Sequence, residues 1–159
     1  MITPKQVYDY LQEKEVQLDG TFNPEINTYR TARGKNYRIE FIDTPAFRTL
    51  EGGAYAYGVC EFTRKIIGIA AKNSLEYVAR GFVHEILHAD SDPFKEFKIF
   101  GLRFKKPSKI NKKREEQKVE NILMEKYPQL PTEFRTLETF NKKDIDFPHL
   151  SLLLLSKPQ

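Results

Sequence analysis

The 159-residue chain lacks several features that define whole classes of proteins. Its single cysteine, Cys60, excludes an intramolecular disulfide and is typical of a protein from a reducing compartment. The longest run of apolar residues, 152–155, is far shorter than the roughly 20 residues that a membrane-spanning helix needs. The first residues have neither the basic nor the apolar region of a signal peptide. We therefore expect a cytoplasmic protein with no membrane contact.

The residues that are present favour a folded protein of one domain. Hydrophobic residues make up 40% of the chain, and 12 phenylalanines and 8 tyrosines supply large apolar side chains for a core. The formal net charge of +4 permits an acidic partner but does not require one. We predict a single domain over residues 1–159, with its core at about 37–127 and a C-terminal extension at 128–159.

The distribution of apolar residues and turn formers predicts an α+β fold. Thr3, Pro4 and Gln6 form the pattern of a capping box at the start of a helix. Residues 19–36 are predicted to be a loop with an extended piece at 26–29, and the lysine-rich residues 94–113 an exposed loop or short elements. Helices are predicted over 4–16, 74–89 and 110–127, and strands over 37–42, 54–61 and 65–71.

The most informative pattern is the pentapeptide His84-Glu85-Ile86-Leu87-His88, which has the form H-E-x-x-H. It falls on the second predicted helix, for which Asn73 is the expected N-cap. Two histidines four residues apart lie on one face of a helix, so that their ring nitrogens can bind one tetrahedral Zn²⁺. Glu85 is then placed to act as general base toward a zinc-activated water. Gly81, one turn earlier on the same face, leaves room beside the histidines.

A catalytic zinc site needs a third protein ligand, for which the sequence offers several candidates. The pattern in which this ligand follows the second histidine by six residues is excluded, because that position is Phe94. Asp90 and Asp92 are too close in sequence to reach the same ion easily, and we expect them to cap the helix end or to hydrogen-bond a ligand histidine. His149, in the C-terminal extension, is a further candidate.

The third predicted helix carries glutamates that could supply this ligand. Glu115 and Glu116 precede Val119 by four and three residues, and therefore flank the apolar stripe of the helix. Glu120 is predicted to lie further toward solvent. Glutamates on a lysine-rich helix usually form a solvated face with ion pairs along the helix. Because the zinc site requires a carboxylate from a second helix, we nevertheless favour Glu116 as the third ligand.

With these residues the chain resembles the gluzincins, zinc peptidases that carry H-E-x-x-H on one helix and a glutamate ligand on a following one. Within them it is most similar to the ImmA/IrrE-type peptidases and to minimal single-domain gluzincins, over about residues 37–127. The family order of turn, strand and active-site helix is found at 53–58, 65–69 and 80–88. The segment 116–123 is similar to the family pattern E-x-x-A-x-x-F-A, with Val119 and Leu123 in place of the two alanines.

The resemblance implies a small zincin-like domain, in which a twisted, mostly antiparallel sheet lies over the active-site helix. His84, His88 and Glu116 would bind Zn²⁺. Glu85 would deprotonate the zinc-activated water that attacks the scissile carbonyl. The implied function is that of a zinc-dependent endopeptidase, which hydrolyses peptide bonds of an intracellular protein substrate.

The same resemblance suggests how the substrate would bind. An edge strand, expected at residues 65–70, would pair with an extended protein or peptide substrate. Tyr55, Tyr57 and Tyr77 are candidates for a hydrogen bond to the oxyanion that forms during hydrolysis. The sequence does not choose among these three tyrosines.

An alternative function is that of a zinc-binding regulatory or nucleic-acid-associated protein with latent or no peptidase activity. The basic residues of the 105–114 stretch permit weak contact with nucleic acid, although Phe104 is the one aromatic residue beside them. The C-terminal extension, with His149 and residues 152–155, could cover the cleft and block it.

Overall fold

Three helices and nine strands form the part of the chain that the computed structural model describes, residues 1–48, 55–92, 94–99, 102–107 and 112–132. In chain order they are α1 Pro4–Glu13, β1 Thr21–Asn23, β2 Thr28–Arg30, β3 Asn36–Ile42, β4 Phe47–Arg48, β5 Tyr55–Ala56, β6 Gly58–Glu61, β7 Ile66–Ala70, α2 Leu75–Asp90, β8 Phe94–Ile99, β9 Leu102–Pro107 and α3 Lys112–Lys126. None of the helices in these ranges has the length and apolar character required to cross a membrane.

Five strands form one mixed sheet in the order β1-β2-β3-β7-β6, so the predicted α+β class is confirmed. β3 and β7 run parallel, with Ile39 opposite Ile67, and the other neighbouring pairs are antiparallel. β6 and β7 form an antiparallel hairpin at the positions of the strands predicted over 54–61 and 65–71. The expectation that residues 65–70 form the edge strand is wrong, because β7 pairs with β6 on one side and with β3 on the other. Within the described residues, β6 is the edge strand at that end of the sheet.

The hydrophobic core lies between this sheet and the helices. In β3 the buried Tyr37 and Ile39 are two residues apart, and in β7 so are Ile67 and Ile69, which is the spacing of side chains on one face of a strand. The helices add apolar side chains at helical spacing to the same cluster. They are Val7 and Leu11 from α1, Phe82, Val83 and Ile86 from α2, and Val119 and Leu123 from α3.

The N-terminal region follows its local signals. The Thr3 side chain accepts a hydrogen bond from the Gln6 backbone, and the Gln6 side chain accepts one from the Thr3 backbone, which completes the predicted capping box. α1 ends at Glu13, before the left-handed residue Glu15. The segment 19–36, predicted as a loop with an extended piece at 26–29, contains the hairpin β1–β2, of which β2 overlaps that piece. Asn27 between these strands has a φ of 53°, which asparagine adopts readily.

The start of α2 differs from the prediction in its cap. Ser74 is the N-cap residue, and its side chain makes no capping hydrogen bond. Asn73, the expected cap, donates from Nδ2 to the backbone carbonyl of Pro45 at 2.9 Å. The amide therefore ties the start of α2 to the segment that follows β3, rather than capping the helix.

A further hairpin follows α2, in the segment that was predicted to be an exposed loop or short elements. β8 and β9 form a separate two-stranded antiparallel sheet, in which Phe97 lies opposite Phe104. α3 then covers most of the predicted 110–127 helix. Beyond residue 132 the C-terminal extension, with His149 and residues 152–155, lies outside the described residues. The single-domain organisation stays a prediction.

A candidate metal centre

The two histidines of α2 converge on one point from consecutive turns of the helix. The rings of His84 and His88 meet edge to face, with their centroids 4.9 Å apart. Their Nε2 atoms are separated by 3.2 Å. Because α2 packs against the sheet over most of its length, this point lies at a partly buried position rather than on an open helix face.

Glu116 of α3 reaches the same point. Its Oε2 is 3.0 Å from Nε2 of His84, and its Oε1 is 2.9 Å from Nε2 of His88. One ligand atom from each of the three residues lies within 4.8 Å of the other two. Two imidazole nitrogens and one carboxylate oxygen form a donor set that Zn²⁺ commonly accepts, with a fourth position left for water or substrate.

The spacing of these donors fits a zinc ion. Bonds of about 2.0–2.1 Å in a tetrahedral arrangement place neighbouring ligand atoms about 3.3 Å apart. The two Nε2 atoms are 3.2 Å apart, and each lies 2.9–3.0 Å from a different oxygen of Glu116, which is slightly shorter than this separation. Small rotations of the side chains would therefore open the group to the size that zinc needs.

The packing of imidazoles against carboxylates shifts the pKa of the donors. Burial lowers the pKa of His84, but hydrogen bonds to Glu116 and Glu120 outweigh this effect and raise the pKa to about 10. Hydrogen bonds from His84 and His88 hold the pKa of the Glu116 carboxyl well below its usual range. The His84 ring is therefore protonated on both nitrogens at neutral pH, and a metal ion that binds Nε2 must displace the proton on that atom.

Glu120, four residues after Glu116, binds the other ring nitrogen of His84. Its Oε1 accepts a hydrogen bond from Nδ1 at 2.9 Å, and its Oε2 accepts one from Nη2 of Arg80 at 2.7 Å. The expectation that Glu120 lies further toward solvent is wrong, since its side chain is 32% exposed and that of Glu116 59%. The physical reason is the charge of Arg80, which holds the Glu120 carboxylate against α2.

Glu115 lies beside the second histidine. Its Oε1 is 3.8 Å from Nδ1 of His88 and accepts a hydrogen bond from the Ser91 hydroxyl at 2.6 Å. Among the described candidates for the third ligand, Glu116 is therefore the one that meets the Nε2 atoms of both histidines. The remaining candidate, His149, lies outside the described residues.

Asp90 and Asp92 have other roles than those expected from the sequence. Asp90 accepts a hydrogen bond from the Tyr29 hydroxyl at 2.7 Å, and the buried Asp92 accepts one from the Tyr37 hydroxyl. Ser91 is the C-cap residue of α2. The two carboxylates thus bind tyrosines of the sheet, because the end of α2 lies over β2 and β3. The expectation that they cap the helix or hydrogen-bond a ligand histidine is wrong.

Glu85, a residue of α2, has its side chain buried against the edge strand β6. The residue is 7% exposed, and a Cβ atom added to Gly58 would lie only 2.8 Å from its Cγ. Burial raises the pKa of the Glu85 carboxyl, against the opposing effect of the nearby histidines. A carboxylate with a raised pKa is a better proton acceptor at neutral pH than an ordinary one.

A cavity of about 290 Å³ lies beside the donor group. Its walls come from the β5–β6 segment, α2 and α3, and its lining residues are Ala56, Tyr57, Gly58, Arg80, Gly81, His84, Glu85, Glu116 and Glu120. Two larger clefts, of about 790 and 1010 Å³, lie against α1 and against β3, and neither is lined by a histidine. Of the H-E-x-x-H motif, His84 and Glu85 therefore line the smaller cavity.

Tyr57 is the one of the three tyrosine candidates for the oxyanion that the structure places in the cavity wall. Tyr77 is not among the residues that line the cavity. The side chain of Tyr55 lies outside the part of the chain that the structure describes. Tyr57 is therefore the better-placed candidate among the described side chains.

The contribution of Arg80 and the contacts of Glu115 and Glu120 were not predicted from the sequence. A signal was present, because Arg80 precedes His84 by four residues and Glu120 follows Glu116 by four, so that each pair shares a helix face. The contacts between α2 and α3 could not be predicted in this way, because they join residues that are far apart in the chain, 40 positions in the case of Arg80 and Glu120.

Comparisons of the chain with models of known protein families, with curated proteins and with solved structures give no match. The likeness to the gluzincins therefore stays an interpretation of the motif residues. The function has to be argued from the chemistry of the cavity itself.

Proposed function

We propose that the protein is a zinc-dependent endopeptidase. The observation that carries this proposal is the meeting of His84, His88 and Glu116 in one donor group, next to a cavity that is lined by the buried Glu85. Zn²⁺ bound by the first three residues would supply a Lewis acid for the scissile carbonyl and would lower the pKa of the attacking water. The remaining chemistry falls to side chains of the cavity wall.

Glu85 is the general base in this proposal. Its buried carboxylate, with a raised pKa, accepts a proton from the attacking water. The same carboxylic acid then gives that proton to the nitrogen of the departing amine, so that the residue ends the cycle ionised as it began. Gly58 supports this role, because the absence of a side chain there leaves the space that the Glu85 carboxylate occupies.

The substrate is proposed to be an extended stretch of polypeptide that lies along β6. Within the described residues, β6 pairs with β7 on one side only, and its first residue, Gly58, also lines the cavity. A strand added to the outer edge of β6 would therefore pass beside Glu85. Strand pairing needs no chain terminus, which favours cleavage within a chain. Tyr57, which directly precedes β6 and lines the cavity, is the proposed hydrogen-bond donor to the oxyanion.

Metal analysis and cleavage of a peptide library together test the proposal. We expect one zinc ion per wild-type chain, no stoichiometric zinc in His84→Ala, and unchanged zinc in Glu85→Gln. Because a general base contributes about 10²- to 10⁴-fold, Glu85→Gln should lower the rate of cleavage by about that factor. Glu76→Gln, at an exposed position in the first turn of α2, is the matched control and should cleave at the wild-type rate.

Two results would contradict the proposal. One is wild-type protein purified with zinc in the medium that binds no stoichiometric zinc. The other is a Glu85→Gln variant that cleaves as fast as the wild type, since contaminating protease would then account for the products. Zinc binding without cleavage of any library peptide would favour the regulatory alternative.

A second candidate function, association with nucleic acid, is favoured by the β8–β9 hairpin. Residues 94–114 contain nine lysines and arginines and a single acidic residue, and most of them belong to this hairpin and the start of α3. A two-stranded ribbon has the shape that fits a DNA major groove, and clustered positive charge attracts the phosphates.

A salt series on binding to duplex DNA, with single-stranded DNA and RNA as further probes, tests this second function. Removing the charges of Lys105 and Lys106 should weaken binding and reduce the slope of log affinity against log salt by about one per lost phosphate contact. Lys5→Ala, on the exposed face of α1, is the control. Affinity that does not change with salt would exclude the idea.

A further inference from the structure

Arg80 is buried beside the candidate metal centre. It lies on α2 one turn before His84, and only 3% of its surface is exposed. Taking a guanidinium out of water is costly unless charged or polar partners replace the lost hydration. Two partners here come from outside α2, namely the Glu120 carboxylate at 2.7 Å from Nη2 and the Pro131 carbonyl at 2.8 Å from Nε.

The carboxylate of Glu120 divides its two oxygens between Arg80 and His84. Oε2 accepts from Arg80, and Oε1 accepts from Nδ1 of His84 at 2.9 Å. With both oxygens bound, the carboxylate has a single orientation although about a third of its side chain is exposed. A glutamate on a helix surface would otherwise sample several rotamers in water.

This arrangement determines which nitrogen of His84 is available to a metal. A carboxylate can only accept a hydrogen bond, so Nδ1 keeps its hydrogen while Nε2 offers its lone pair once the second proton leaves. Nε2 is the atom that faces His88 and Glu116. Partners of this kind orient the ring of a ligand histidine and raise its basicity.

We propose that Arg80 is a positioning residue of the metal centre, which acts through Glu120 to hold His84 in the orientation and tautomer that bind zinc. This inference rests on the proposed metal site but not on peptidase activity. It also gives the segment after α3 a role in the site, because the carbonyl of Pro131 helps to fix the guanidinium.

Zinc affinity, measured by competition with a chelator, tests this role. Arg80→Met keeps the aliphatic volume but removes the charge and both hydrogen bonds, and should weaken zinc binding by about 10- to 100-fold. Arg80→Lys keeps the charge but not the geometry of the two donors, and its zinc affinity should lie between those of the wild type and Arg80→Met. Lys126→Met removes another ion pair of α3, with Asp19, and should leave the zinc affinity unchanged.

A double-mutant cycle separates positioning from general support of the fold. If Arg80 acts through Glu120, then Arg80→Met should change the zinc affinity by less than about twofold in a protein that already carries Glu120→Gln. A role in helix packing alone would give the same loss in both backgrounds. Either that result or wild-type affinity in both Arg80 variants would overturn the inference. Wild-type protein that binds no zinc would overturn the metal centre and this role with it.

Discussion

Placing a methyl group at Gly58 should disable the candidate site without removing its metal. An added Cβ would lie 2.8 Å from Cγ and 3.0 Å from Oε1 of Glu85. Carbon atoms that are not bonded normally approach to about 3.5–4.0 Å. Gly58→Ala therefore requires Glu85 or strand β6 to move by about 0.7–1.2 Å.

The size of the effect follows from where that movement is taken up. The backbone of α2 is held by its fully buried core residues and will not move. The Glu85 side chain and the edge strand β6 are less restrained, and we expect each to move by part of this distance. A misplacement of about 1 Å in a catalytic group costs on the order of 10²-fold in rate. Overpacking of this kind costs about 1–3 kcal/mol in the free energy of unfolding.

The assay compares kcat/KM, zinc content and thermal unfolding in the wild type and Gly58→Ala. We expect kcat/KM to fall by about 10²-fold while zinc remains stoichiometric, because the ligands are not among the atoms that the new methyl group meets. Gly34→Ala is the matched control. Gly34 has a φ of 87° and only Arg30 within reach, so its substitution costs stability but should not affect kcat/KM. Wild-type kcat/KM in Gly58→Ala, or loss of zinc together with activity, would refute the reasoning.

Three further predictions concern the metal and the buried carboxylate of Asp92. The pKa of His84 is raised to about 10, and zinc binds the neutral form of histidine, so each zinc ion bound near neutral pH should release one proton from His84. The apparent zinc affinity should therefore fall about tenfold for each unit by which the pH is lowered. Calorimetry in buffers of different ionisation enthalpy measures the released proton, and zinc binding without proton release would contradict the prediction. Free zinc at about 100 times its Kd should stabilise the fold by about 2.7 kcal/mol, and His88→Ala should show no such gain in thermal unfolding. Tyr37→Phe removes a hydrogen bond to Asp92, whose side chain is 1% exposed, and should lower the free energy of unfolding by about 1.5–3 kcal/mol without changing zinc affinity. A loss below about 0.5 kcal/mol in urea unfolding would mean that Lys35 and Lys65, which form ion pairs with the Asp92 carboxylate, stabilise it without the hydroxyl.

The elements predicted correctly are those that depend on neighbours in sequence. The capping box at Thr3 involves residues three apart, and α1 begins where it was expected. The turn between β6 and β7 is local too, and both strands were predicted. α2 carries His84 and His88 on one face, because backbone hydrogen bonds between residues four apart define the helix whatever surrounds it.

The elements predicted wrongly depend on contacts between distant parts of the chain. The parallel ladder between β3 and β7 turned an expected edge strand into an interior one. Asn73 had the side chain of a helix cap, but the carbonyl of Pro45 competes for its amide. For β1–β2 and β8–β9 the prediction gave only an extended piece at 26–29 and an exposed loop or short elements at 94–113. The pairing of these strands was not predicted, since their sequences lack the regular apolar alternation that marks a strand.

Local patterns in the sequence were enough to predict that two histidines and a glutamate share one helix, and that a helix with four glutamates follows it. They could not determine which glutamate meets the histidines, because that depends on the rotation of α3 against α2. Packing of Val119 and Leu123 into the core sets this rotation. It places Glu116 at both Nε2 atoms and brings Glu120 to Arg80, 40 residues earlier in the chain. Helical spacing comes from the backbone, whereas the meeting of two helices comes from side chains that become neighbours only when the core forms.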